Sequence, residues 1–429
     1  MARMLNVIEP SRPPIRRDVD RRITFAGLTT AAAMLGLAAA AAAHSFATGQ
    51  GVWLPLHLAL AGAAGTAAAS AMPFFTTALA RVGPARPLPR IVAIALVAGG
   101  ALAVAGGVPG GVPPLSVAGG VAFLTGLLLT SANAFLPLRS SLGLGLRTVP
   151  VAYGAALGCV LLGATLATTM VAGWEPVISD WAALKPAHAW LNVFGFISVV
   201  IAATLIHLAP TVAGARIRPR RSGSTALIGL ALGAPIIALG FASGSDVVAR
   251  VGACLELLGA CALVVHGAGV QRDRGRWTTD AAWHRFAGMS ILAAPAWFLV
   301  AVVIATWPIL RSGAAPSSWS IVGLAAPLVI GWIAQVLVGS WTQLVPAIGP
   351  GDQAVHARQR RRLGQAASPR LVAWNGGVTL VVVGEAIGTV ALSAVGAAAI
   401  ALALVVALGL LVASIALDPR QRIRRPEHT

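Results

Sequence analysis

Long runs of hydrophobic residues alternate with short polar segments along the whole chain. Each run is about 20 residues or longer, the length that an α-helix needs to cross the hydrocarbon core of a bilayer. The runs predict twelve transmembrane helices, at about residues 22–43, 53–79, 90–108, 115–138, 148–173, 186–213, 224–242, 245–269, 282–308, 318–346, 371–392 and 395–417. The predicted fold class is therefore an all-α polytopic membrane protein.

The composition supports a membrane location. Of the 429 residues, 57% are hydrophobic and only 10% are charged, and the mean hydropathy is +0.82. A soluble domain does not need so much apolar surface, so the lipid bilayer is the first predicted partner. We divide the chain into a basic tail at 1–21, a twelve-helix membrane domain at 22–417 and a second basic tail at 418–429.

The net charge of +18 is distributed in a way that predicts orientation. The two tails and every second loop hold 27 of the 31 basic residues, whereas the intervening loops hold only Lys185 and Arg311. Basic loops stay on the cytoplasmic side of a membrane protein. We therefore predict a multi-pass protein of the inner (plasma) membrane with both termini in the cytoplasm, and we expect no nucleic-acid partner.

Prolines at matching helix ends indicate an internal repeat. Pro73 and Pro210 are 137 residues apart, and Pro210 and Pro346 are 136 apart, with four predicted helices in each interval. The chain thus divides into pseudo-repeats at about 22–147, 148–281 and 282–417, with helices 2, 6 and 10 in equivalent places. We predict three arcs of four helices.

Histidines within the predicted helices are candidate functional groups, because ionisable side chains are costly at bilayer depth. His57 and His188 fall near the outer face on helices 2 and 6, so we predict that they bind haem b as two neutral imidazoles from different helices. The alternative is that they are interfacial residues that hydrogen-bond between helices. The secondary candidates are His44 near the outer face and His207, His266 and His284 near the inner face.

Two glutamates fall near the middle of predicted helices. Glu256 in helix 8 and Glu385 in helix 11 are candidates for a proton relay or an ion site, and the alternative is a protonated side chain that only hydrogen-bonds between helices. We expect both to face protein or an internal cavity. The chain has no phosphate loop, no HExxH motif and no nucleophile elbow. These motifs therefore give no reason to predict an enzyme.

The stretch "HAWLNVFGFISVVIAATLIHLAPTVAG", at 188–214, resembles a segment of haem-copper oxidase subunit I, especially its cbb-type-like members. The nitric-oxide-response haem membrane proteins are a looser resemblance. The oxidase resemblance covers the helix layout and implies three four-helix arcs, with helices 2, 6 and 10 lining the pores. It also implies a haem ligand on helix 2, where His57 stands.

The chain departs from that family at the copper site. Helix 7 of the family carries paired histidines, and the predicted helix 7 here has none. Helix 10 of the family carries a haem-ligating HxH, and here Gln335 and Gln343 are the polar residues. We therefore do not expect terminal oxidase activity, because function follows the site and not the fold. The sequence leaves any metal unidentified.

Three functional hypotheses remain. The first is a haem-copper-oxidase-like protein that binds one haem and acts in electron transfer or in redox, nitrogen-oxide or copper-related processes, with a periplasmic or membrane redox protein as its partner. The second is a proton-coupled secondary transporter or permease, since twelve helices are common there too. The third is a cofactor-free membrane partner of a redox enzyme.

Overall fold

The computed structural model describes residues 15–140, 148–275 and 285–416. These residues are almost entirely helical, and they include no β-strand. The long helices are α1 (Ile15–Thr48), α2 (Trp53–Leu79), α3 (Pro87–Gly107), α4 (Pro113–Phe135), α5 (Thr148–Val171), α6 (Trp181–Ala213), α7 (Arg221–Ser243), α8 (Asp246–Arg272), α9 (Arg285–Ser312), α10 (Val322–Ile348), α11 (Ala367–Ala386) and α12 (Val390–Ala416). Short helices at Glu175–Ser179 and Gln353–Leu363 precede α6 and α11.

Eleven helices in the described ranges are long and apolar enough to cross a membrane. The remaining long helix, α11, has 20 residues and is less apolar because it includes Arg370, Asn375 and Glu385. It also begins and ends earlier than the predicted span at 371–392. The chain is an all-α polytopic membrane protein, as the hydrophobic runs predicted.

Three antiparallel helix pairs pack closely: α3 with α4, α7 with α8, and α11 with α12. Glycine allows this approach, because a side chain would collide with the partner helix. A Cβ added at Gly126, Gly229 or Gly377 would lie 2.7–2.8 Å from backbone atoms of the partner. Each pair occupies the third and fourth places of a predicted four-helix block, which supports the repeat.

Helices α2, α6 and α10 are the most enclosed. In their most apolar windows, 72–78% of residues are buried, against 33–56% in the other eight candidate membrane helices of the described chain. Each contains a segment of wider π-helix, at Leu58–Ala64, Trp190–Ser198 and Ala325–Ala334. π-Helical segments are rare in proteins, and those that occur are often found at functional sites. The division into three arcs remains a prediction, which these shared features support.

A buried ion pair joins α1 to α3 at the end of the bundle that we predict to face the cytoplasm. Arg90 pairs with Asp20, and its guanidinium also donates to the Ser70 carbonyl oxygen at 2.7 Å and to the Thr24 hydroxyl at 3.1 Å. Asp20 lies within α1, which begins at Ile15, so residues 15–21 of the predicted tail are helical. Arg90, expected among the basic residues outside the bundle, is instead buried and holds α1, α2 and α3 together.

Candidate functional site

A cavity of about 500 Å³ lies among α2, α3, α4, α5 and α6 and the segment from Pro316 to Val322 that leads into α10. Its volume falls within the range of about 300–1,000 Å³ that is typical of small-molecule and cofactor sites. His57 and His188 both line it. The two histidines predicted to act together are therefore brought to one cavity.

His57 is held within its own helix near the start of α2. Its Nδ1 lies 2.9 Å from the Trp53 carbonyl oxygen, one turn earlier. A carbonyl oxygen only accepts hydrogen bonds, so Nδ1 carries the proton and Nε2 keeps a free lone pair. The Trp53 ring stacks on the imidazole with centroids 3.9 Å apart, which fixes the ring plane.

His188 is held from a neighbouring helix. Its Nδ1 donates to the Gly163 carbonyl oxygen of α5 at 2.8 Å, so its Nε2 is also unprotonated. Asn192, one turn later, donates to the His188 carbonyl oxygen at 2.7 Å. A Cβ at Gly163 would lie 2.3 Å from the Asn192 side-chain nitrogen, so a larger residue at 163 would displace this arrangement. Gly163 and Asn192 thus orient His188.

The rest of the cavity is mainly apolar, with aromatic side chains near the histidines. Phe123 and Phe196 contribute to its walls, and Trp181 lies beside His188 with ring centroids 6.0 Å apart. Lys185 is the cationic side chain of the lining and is exposed. An apolar ligand with an anionic group fits this distribution, since the anionic group would lie beside Lys185.

The other histidine candidates lie elsewhere. His44, a secondary candidate, is exposed and does not line the cavity, so the structure does not bring it together with His57 and His188. The reason is that it lies on the exposed side of the last turns of α1. His207 and His266 are buried on α6 and α8, and His207 Nδ1 and both ring nitrogens of His266 have no hydrogen-bond partner among the residues that the structure describes. His284 lies outside the described residues.

The two glutamates have opposite environments. Glu256 on α8 has an exposed fraction of 0%, as expected for a carboxyl that avoids lipid. Glu385 is exposed, and the prediction that it lies buried at mid-membrane is wrong. It lies in the last turn of α11, because Gly388 adopts a φ of +69° just beyond the helix and the chain turns there into α12.

The sequence analysis paired His57 and His188, which line one cavity, and missed the groups that orient them. Asn192 stands four residues after His188, a spacing that puts both on one helix face and could have signalled a support. The Gly163 carbonyl carries no such signal, because its role depends on how α5 packs against α6. Among the described residues no group of three or more His, Cys, Asp or Glu side chains is placed to hold a metal ion.

Comparisons with known proteins assign no family. No protein-family model matches the chain, and no curated protein matches it.

Proposed function

We propose that this chain is a haem-copper-oxidase-like membrane protein that binds one haem b between His57 and His188 and carries electrons. The observation that supports this most is the shared state of the two imidazoles. Both donate from Nδ1 to a backbone carbonyl oxygen, and neither Nε2 has a hydrogen bond to a described residue. Metal-bound histidines are commonly held in this way by second-shell acceptors.

The cavity suits such a group in size and polarity. Its volume of about 500 Å³ and its apolar walls fit a macrocycle, and Lys185 is available to pair with a carboxylate at the ligand edge. The Trp53 and Trp181 rings beside the histidines add apolar contact area. The alternatives of a transporter and of a cofactor-free partner protein gain no specific support from these contacts.

The ligand set favours electron transfer over oxygen chemistry. His57 and His188 would both hold a bound haem, which would supply a one-electron carrier and would have no ligand place left for oxygen. The histidines of the oxidase copper site have no counterpart on α7 or α10. The redox partner we propose is a periplasmic or membrane protein, because the cavity lies at the bundle end predicted to face outward.

Titration of the purified protein with haemin tests the proposal. We expect a sharp Soret band that grows until one haem is bound per chain and that shifts on reduction with dithionite. Residues of this chain line the cavity, so we expect haem binding to need no other cofactor. A featureless titration, identical to that of detergent micelles alone, would leave the cavity to another ligand and would refute the haem proposal.

A further inference from the structure

Glu256 is a buried acid that the proposed haem site does not use. It lies halfway along α8, fully enclosed by protein. A Cβ added at Gly233 of α7 would be 2.6 Å from its Oε2, so the carboxyl rests directly on the backbone of the neighbouring helix. Among the described residues the donor near this carboxyl is the Ala234 backbone N–H of α7, and neither carboxyl oxygen has a hydrogen bond of good geometry. Native proteins rarely leave a buried polar atom in this state without a functional reason.

The surroundings decide the charge of this carboxyl. An ionised carboxylate at this depth is very costly unless a cation or several donors compensate it. No ion pair to Glu256 occurs in the described residues, and Arg250 on the same helix is exposed. In the described part of the chain, the titratable side chain that interacts with it from a neighbouring helix is Cys159 of α5, which supplies no positive charge. The carboxyl therefore holds a proton at rest.

Cys159 also connects Glu256 with the cavity. Its neighbour in sequence, Val160, lines the cavity, and so does Phe196 of α6. A Cβ added at Gly195 would lie 2.9 Å from Cys159 Sγ and 3.5 Å from the Ala234 Cβ of α7. Cys159 and Ala234 thus both pack against Gly195, so Cys159 lies between residues that line the cavity and the helix α7 that contacts Glu256.

We propose that Glu256 is a proton-binding site that exchanges its proton with the cavity past Cys159. The proton moves between the carboxyl oxygen and water in the cavity, and no other bond changes. The site itself requires only the cavity and not haem. With the proposed haem in place, it would let a proton compensate the charge that arrives with an electron.

Infrared spectroscopy of the purified full-length protein tests the proposal. We expect a carbonyl band of a protonated carboxylic acid that is absent from Glu256→Gln and shifts to lower frequency after transfer to D₂O. Cys159→Val should slow that shift severalfold, because it replaces the thiol with a bulkier apolar group. Cys254→Val is the matched control, since Cys254 is an exposed residue of α8, and it should leave the rate unchanged.

Each other outcome would overturn the proposal. If Glu256→Gln keeps every carboxylic-acid band of the wild type, the carboxyl of Glu256 is ionised. A band that never shifts in D₂O would mean a sealed acid with a structural role. An unchanged rate in Cys159→Val would place the exchange route elsewhere. Haem content measured on the same samples reports separately on the haem proposal, so failure of one does not imply failure of the other.

Discussion

Replacing either His57 or His188 with alanine should abolish the low-spin haem spectrum of the protein. Each substitution would remove one of the two histidines that would hold the haem, and the other histidine, fixed by its hydrogen bond to a backbone carbonyl oxygen, would not fill the gap. The loss of affinity should exceed the roughly 10–100-fold that removal of a second-shell partner causes. Haemin titration of each purified variant, followed at the Soret band, measures it.

Two kinds of control distinguish this result from general damage. His44→Ala and His207→Gln should leave the spectrum intact, because neither residue lines the cavity. Gly163→Ala should weaken haem binding by displacing Asn192 and His188, whereas Gly158→Ala on the same helix should have no effect, since an added Cβ there has no neighbour within 4 Å. Stoichiometric low-spin haem in both histidine variants would contradict the assignment.

Arg90→Met should destabilise the protein by about 3–5 kcal/mol, because it leaves the Asp20 carboxylate buried without its partner. The side chains of Arg90 and Asp20 are 1% and 9% exposed, so water does not replace the lost contact. The change also removes the donors to Ser70 and Thr24, which join α3 to α2 and α1. Denaturant unfolding in a fixed detergent measures the effect.

The matched control is the surface pair of Asp18 with Arg21, separated by 3.9 Å and with side chains 68% and 40% exposed. Asp18→Asn should change stability by about 1 kcal/mol or less, as is usual for exposed ion pairs. Arg90→Met combined with Asp20→Leu should recover much of the loss, because the unpaired charge is gone. A loss in Arg90→Met no larger than that in Asp18→Asn would show that the buried pair contributes little.

The helices followed from the sequence because apolar length is a local property. Eleven predicted spans met that criterion in the structure. The bounds of α11 differ from the predicted span, because Arg370 lies within the bundle. There it donates to the Leu363 carbonyl oxygen and lies over the Phe286 ring. A search for hydrophobic runs leaves Arg370 out of the predicted span. The contacts of Arg370 with other elements nevertheless allow its side chain to be buried.

The sequence predicted the depth of each candidate residue along its helix, but not its contacts with other helices. Counting residues placed His57 and His188 at one level, and the structure puts both in one cavity. The same counting placed Glu385 at mid-membrane, because the turn at Gly388 is not evident from hydropathy. It also missed the Asp20–Arg90 pair, because the sequence of α1 or of α3 alone does not indicate which residue of the other helix is its partner.

The most direct test of the central claim is electron paramagnetic resonance of the oxidised, haem-loaded protein. If His57 and His188 both hold the haem, the spectrum should show one low-spin ferric haem per chain, of the type given by two imidazoles. The His57→Ala/His188→Ala double variant should lack this signal. A wild-type protein that binds no haem, or a double variant that keeps the low-spin signal, would contradict the account.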